Sequence, residues 1–111
     1  MDIRHMYTGD DGETHIEEWL LEDHPELTAP IPAKSIIFKR WEPGNFLDWH
    51  AEPQRQIVIA IDGEAEIGLA DGSKHRFGPG QVNIAEDTTG KGHTRLVTGN
   101  KTRVVVEIRL A

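Results

Sequence analysis

Cysteine is absent from the 111 residues, which removes disulfide staples, thiolate metal sites and thiol nucleophiles together. Positive charge is scarce: twelve Lys and Arg stand against nineteen acids, a formal net charge of −7. No basic cluster is dense enough to follow a phosphate backbone, so nucleic acid is not an expected partner. Long apolar runs are missing too. None reaches the roughly 18 residues that cross a bilayer, and Met1 to Gly12 lacks the apolar centre of a signal peptide. No membrane partner is expected, and the cytoplasm is the expected compartment. Nor does an internal repeat, a linker or a low-complexity stretch divide the chain.

Hydrophobic residues make up 37% and charged residues 28%, a balance that favours a folded globular chain over a disordered one. At this length one domain forms around a single core, with room for one cavity. Met1 to Tyr7 alternates weakly and reads as a peripheral strand that ends in the turn Thr8 to Gly12. Thr14 to Leu21 is open between strand and helix, since Thr14 and Glu17 match a capping box. Pro25, Pro30 and Pro32 make the next stretch a connection. Strands follow at Ser35 to Trp41 and Phe46 to Glu52. Asp62-Gly63 and Asp71-Gly72, each between alternating runs, predict hairpin turns joining adjacent antiparallel strands. Further strands are expected at Gln81 to Ala85, His93 to Val97 and Thr102 to Leu110, a spacing that suits an all-β barrel or sandwich.

The stretch Trp49 to Gln56 concentrates the chemistry. On an extended strand alternate side chains share a face, so His50 and Glu52 should project together, with Asp48 on the same side. Pro53 interrupts that strand or confines it to an edge, and the apolar run Ile57 to Ile61 then has to be buried. Polar groups at the mouth of such a run stand where a concave site forms. Alternation from Gln56 points Arg55 outward, and Trp41 and Trp49 are assigned to core or interface packing.

The run Gly44, five residues, His50, one residue, Glu52, three residues, Gln56, six residues, Gly63 resembles the first motif of the cupin family. The family usually has His, His and Glu where this chain has His50, Glu52 and Gln56. Gly78-Pro79-Gly80, two residues, Asn83 resembles the second motif, with Asn83 in place of the usual His. The likeness spans roughly residues 34–110. It implies a double-stranded β-helix, or jelly-roll, barrel over 34–111, with residues 1–33 as an N-terminal arm of the same domain. It also implies a homodimer and a pocket between the sheets that often holds a divalent metal.

Three readings of the pocket stand side by side. In one, iron, manganese, nickel or zinc is held weakly by His50, Glu52 and His93, with the amides Gln56 and Asn83 as poorer ligands. In the second the pocket is metal-free, and Gln56 and Asn83 bond a small-molecule ligand directly. In the third these polar groups form a structural or vestigial network. His93 completes either site only if the loop Glu86 to Gly92 returns its strand alongside. His50, His93 and Glu52 are the candidate catalytic groups, because imidazole titrates near neutral pH and a carboxylate can orient it or take its proton. This chemistry suits a lyase or isomerase; a metal-dependent dioxygenase and a non-catalytic binding or sensing barrel are the alternatives, since the fold names no reaction.

Overall fold

The computed structural model describes residues 3–111. Its strands are β1 (Ile3–Thr8), β2 (Thr14–Glu18), β3 (Ala33–Trp41), β4 (Phe46–His50), β5 (Gln56–Asp62), β6 (Glu64–Gly68), β7 (Lys74–Phe77), β8 (Val82–Glu86), β9 (His93–Thr98) and β10 (Arg103–Leu110). The proline-rich connection holds two single 3-10 turns, Leu21–Asp23 and Pro25–Thr28. No helix among the described residues is long and apolar enough to cross a membrane. The open choice at Thr14 resolves as a strand: its hydroxyl donates to the Asp87 carboxylate at 2.8 Å instead of capping a helix.

Two sheets face one another. The larger runs β2-β1-β8-β5-β10-β3 and the smaller β4-β9-β6-β7, the two-layer arrangement of an all-β jelly roll. β1 is interior to the larger sheet, parallel to β8 and antiparallel to β2, where a peripheral strand was expected. Residues 1 and 2 of that expected strand lie outside the described residues.

The turn at Asp71-Gly72 joins paired strands β6 and β7 as expected. Asp62-Gly63 does not make a hairpin. β5 already has β8 on one side and β10 on the other, so the chain turns a corner into the second sheet. Gly63 is needed there on two counts: its φ is +68°, and a Cβ would meet the Thr102 carbonyl oxygen at 2.6 Å.

The core fills one end of the sandwich. Met6, Ile67, Leu69, Phe77 and Ala85 are buried together, with Ile16 against them. Toward β3, β10, β4 and β9 the space between the sheets remains a cavity of about 200 Å³.

Candidate metal centre and ligand pocket

The cavity is lined from every side by strand residues, among them Trp41, His50, Gln56, Asn83, His93 and Glu107, with Glu52 from the segment after β4. β4 reaches it through a bulge. Leu47 pairs with Arg95 and His50 with His93, three positions on β4 against two on β9, so one extra residue is absorbed and the side-chain alternation shifts. Leu47 and His50 therefore both line the cavity. Asp48 does not, which corrects the expectation from unbroken alternation; β4 also ends at His50 and leaves Glu52 beyond it.

The displaced Asp48 still serves the site. Its backbone carbonyl accepts the Nδ1 proton of His50 at 2.8 Å, which fixes the tautomer and leaves Nε2 as the donor atom. Gly92 allows β9 to come this close. With φ at +79°, it sits where a Cβ would lie 1.8 Å from the His50 carbonyl oxygen.

His93 is buried against Asp87, whose side chain is fully enclosed. His93 Nδ1 donates to Asp87 Oδ2 at 2.6 Å, and the same oxygen accepts the Thr14 hydroxyl. Its other nitrogen, Nε2, lies 3.4 Å from Glu52 Oε1. Glu52 is in turn tethered twice, by its backbone N–H to the Asp87 carbonyl at 3.0 Å and through Oε2, which accepts the Gln56 amide at 2.6 Å. Burial opposes a charge on His93, but the hydrogen bonds and negative charges of Asp87 and Glu52 outweigh it and push the imidazole pKa up to about 9.

The donor atoms of His50, Glu52 and His93 all lie within 4.8 Å of one another. Two imidazoles with Nδ1 committed to oxygen acceptors, and one carboxylate whose Oε1 is held facing His93 Nε2, make a donor set that fits a divalent transition metal. Of the other two candidate ligands, Gln56 donates its amide to Glu52. Asn83 lines the cavity with a buried Oδ1 that has no hydrogen-bond partner and an Nδ2 3.8 Å from the Met6 sulfur. Arg55 points outward to pair with Glu86, and Trp49 sits under the Lys91 ammonium outside the cavity. Trp41 is a pocket wall, covered by the Arg95 guanidinium 4.0 Å above its ring.

Asp87 and Thr14 escape a search for ligand spacing, since neither touches the cavity; the available signal was a carboxylate six residues before His93, just past a strand. Lys39, Arg95, Arg103, Glu107 and Arg109 escape it as well, although all five line the cavity. Lys39 pairs with Glu107 at 3.1 Å. Of the remaining histidines, His5, His15 and His24 gather with Tyr7 and Trp19 in a stacked group, none of which lines the cavity.

No model of a protein family matches the sequence, and no curated protein is similar to it. Solved structures are. An uncharacterized conserved protein with a double-stranded beta-helix domain from Klebsiella pneumoniae matches with a TM-score of 0.54 at 22% identity, over 68% of this chain and 61% of that one. A cupin-like protein from Thermotoga maritima matches with a TM-score of 0.56 at 20% identity, over 68% of this chain and 55% of that one. In both, the match spans less than two thirds of the other chain. A predicted oxalate decarboxylase from Thermotoga maritima matches over 98% of this chain and 93% of that one, with a TM-score of 0.54 at 16% identity. At these identities the likeness is one of fold.

Proposed function

On the cupin barrel that this chain adopts, we propose a small-molecule enzyme of the lyase or isomerase kind, with a divalent cation held by His50, Glu52 and His93. The observation that carries the reading is the matched pinning of the two imidazoles. Each Nδ1 is committed to an oxygen, so both Nε2 atoms and Glu52 Oε1 are left as donors in one pocket. Iron, manganese, nickel and zinc all suit imidazole and carboxylate ligands. A bound ion supplies Lewis acidity to a substrate oxygen.

The chain's own groups do the rest. Gln56 holds Glu52 in orientation, and Asp87 holds a proton on His93 Nδ1. His50 Nε2 is the nitrogen able to take a proton from a substrate carbon when no ion occupies it. Asn83 Oδ1 is a spare acceptor for a substrate donor. That unpartnered amide favours a second reading, a binding or sensing barrel without chemistry, while a dioxygenase would use the same two-His, one-carboxylate set. The proposal includes a homodimer, supported by the exposed apolar side chains Ile36, Phe38 and Ile61 on the outer face of the larger sheet.

Elemental analysis of the protein loaded in turn with the four ions tests the centre. About one ion per chain is expected from the three-donor site found among the described residues, lost in His50→Ala and His93→Ala; a wild-type chain that stays empty with all four ions rejects it. Deuterium incorporation next to the carbonyl of small keto and hydroxy compounds, followed by NMR in heavy water, tests the chemistry. It should vanish in His50→Gln, and an undiminished rate in that variant removes His50 from the role.

A further inference from the structure

We infer that the pocket is built for a small carboxylate anion, held at its negative end between Arg95 and Arg103 while its other end faces His50, Glu52 and His93. The inference names the substrate class of the proposed site and rests on that site being a ligand pocket, but it does not require the metal.

The argument begins with charge. The cavity wall carries Lys39, Arg95, Arg103 and Arg109 against only two carboxylates, Glu52 and Glu107. Both acids are already engaged, Glu52 by Gln56 and His93 and Glu107 by Lys39. Arg95 and Arg103 are 8% and 5% exposed, and the hydrogen bonds they make go to neutral oxygens, Asn45 Oδ1 at 2.5 Å and the Phe77 carbonyl at 3.1 Å. The Nε atoms of Arg95, Arg103 and Arg109 are buried without a hydrogen-bond partner.

A buried guanidinium with no carboxylate in hydrogen-bond contact is costly, because a charge acting from a distance repays only part of its desolvation. Glu107, the acid whose charge reaches Arg103, is itself held by Lys39 at 3.1 Å. Two cations that repel one another in a cavity are the arrangement a bound anion relieves. A metal at the neighbouring centre adds to the positive excess and leaves the need for an anion greater.

Geometry selects the anion. The Arg95 guanidinium is held 4.0 Å over the Trp41 ring with its Nε buried and unpartnered, and a guanidinium so held suits a planar, two-oxygen partner. Strands contribute most of the wall, and it has no helix N-terminus of the sort that commonly cradles phosphate. A volume of about 200 Å³ is below the usual range of roughly 300–1,000 Å³ for drug-sized ligands, so the occupant is small.

Calorimetry of wild-type protein with acetate, malonate and succinate, each against its neutral amide, and with inorganic phosphate, tests the assignment. At least one carboxylate should bind saturably where its amide does not, and Arg103→Met and Arg95→Met should each weaken it about tenfold or more, the scale of a lost charge-assisted bond. Arg103→Lys, which keeps the charge and loses the fork, should weaken it less and serves if the Met variant does not fold. Carboxylates indistinguishable from amides, tighter binding of phosphate, or carboxylate affinity that survives the substitutions would overturn the inference. Metal content measured on the same samples separates the two readings: carboxylate binding by a chain that takes no ion rejects the centre alone, and an ion without carboxylate selectivity rejects the anion alone.

Discussion

The two faces of the larger sheet invert the usual distribution of residues. Along β10 the inner face carries Arg103, Val105, Glu107 and Arg109, and the outer face Val104, Val106, Ile108 and Leu110. On β3, Lys39 and Trp41 line the cavity while Ile36 and Phe38 stand exposed on the outside. In a sheet whose only task is to fold, the apolar set faces the interior. Here three of the four inward positions of β10 are charged, an arrangement that suits a ligand, and the largest apolar cluster lies toward the other end beneath β1, β2 and β8. The outward apolar set is the face on which the proposed homodimer rests.

The largest expected effect breaks the inner face at its shared acid. Glu107 is the carboxylate nearest in influence to Lys39, Arg95 and Arg103. Glu107→Gln breaks a pair that is buried on one side only and weakens the compensation of buried Arg95 and Arg103, and should cost about 2 kcal/mol, below the penalty for a fully buried pair. Arg103→Met removes one of two repelling cations and keeps the apolar stem, so it should cost less than half as much. Urea denaturation of both variants checks the order. Equal costs would mean that Arg103 is structurally satisfied, and the charge excess would no longer mark a ligand site.

A smaller effect is expected in the pH dependence of the metal-free protein. His93 has a folded-state pKa of about 9 against an ordinary 6.5, so its pairing with Asp87 favours the protonated, folded form. That contribution is complete below pH 6.5 and is lost as pH rises through 9. The thermal midpoint of chelator-treated protein should fall across this window, and Asp87→Asn should flatten the fall. An unchanged slope in Asp87→Asn would assign the titration to another group. Because a cation has to displace the Nε2 proton, ion affinity should weaken as pH drops below 9.

How much of this was legible in the sequence follows from the same inversion. Gly44, His50, Glu52, Gln56 and Gly63 carry the resemblance that implied the barrel and one wall of its pocket. Asp48 was misplaced because the β4 bulge depends on β9, which lies more than forty residues away. The corner at Asp62-Gly63 reads locally as a hairpin, and only the occupancy of both edges of β5 excludes that pairing. Arg103, Glu107 and Arg109 alternate with Val104, Val106 and Ile108 in plain view, but the parity does not state which face is inside. The apolar set is the natural choice for the interior, and in this barrel it is the wrong one.

The outer face supplies the smallest effect on folding and the sharpest contrast. Phe38 is 71% and Ile36 62% exposed, so replacing Phe38 with Glu removes little buried contact within one chain and should change its stability by no more than about 0.5 kcal/mol. If Ile36, Phe38 and Ile61 meet a second copy, the same change places a charge in an apolar interface and separates the subunits. Light scattering should then give two chains for the wild type and one for Phe38→Glu, with carboxylate and metal binding retained in the variant. A wild type that is monomeric throughout would remove the homodimer from the proposal. Loss of ligand binding in Phe38→Glu would instead show that the two faces are coupled, since Lys39, the next residue along β3, holds Glu107 on the inside.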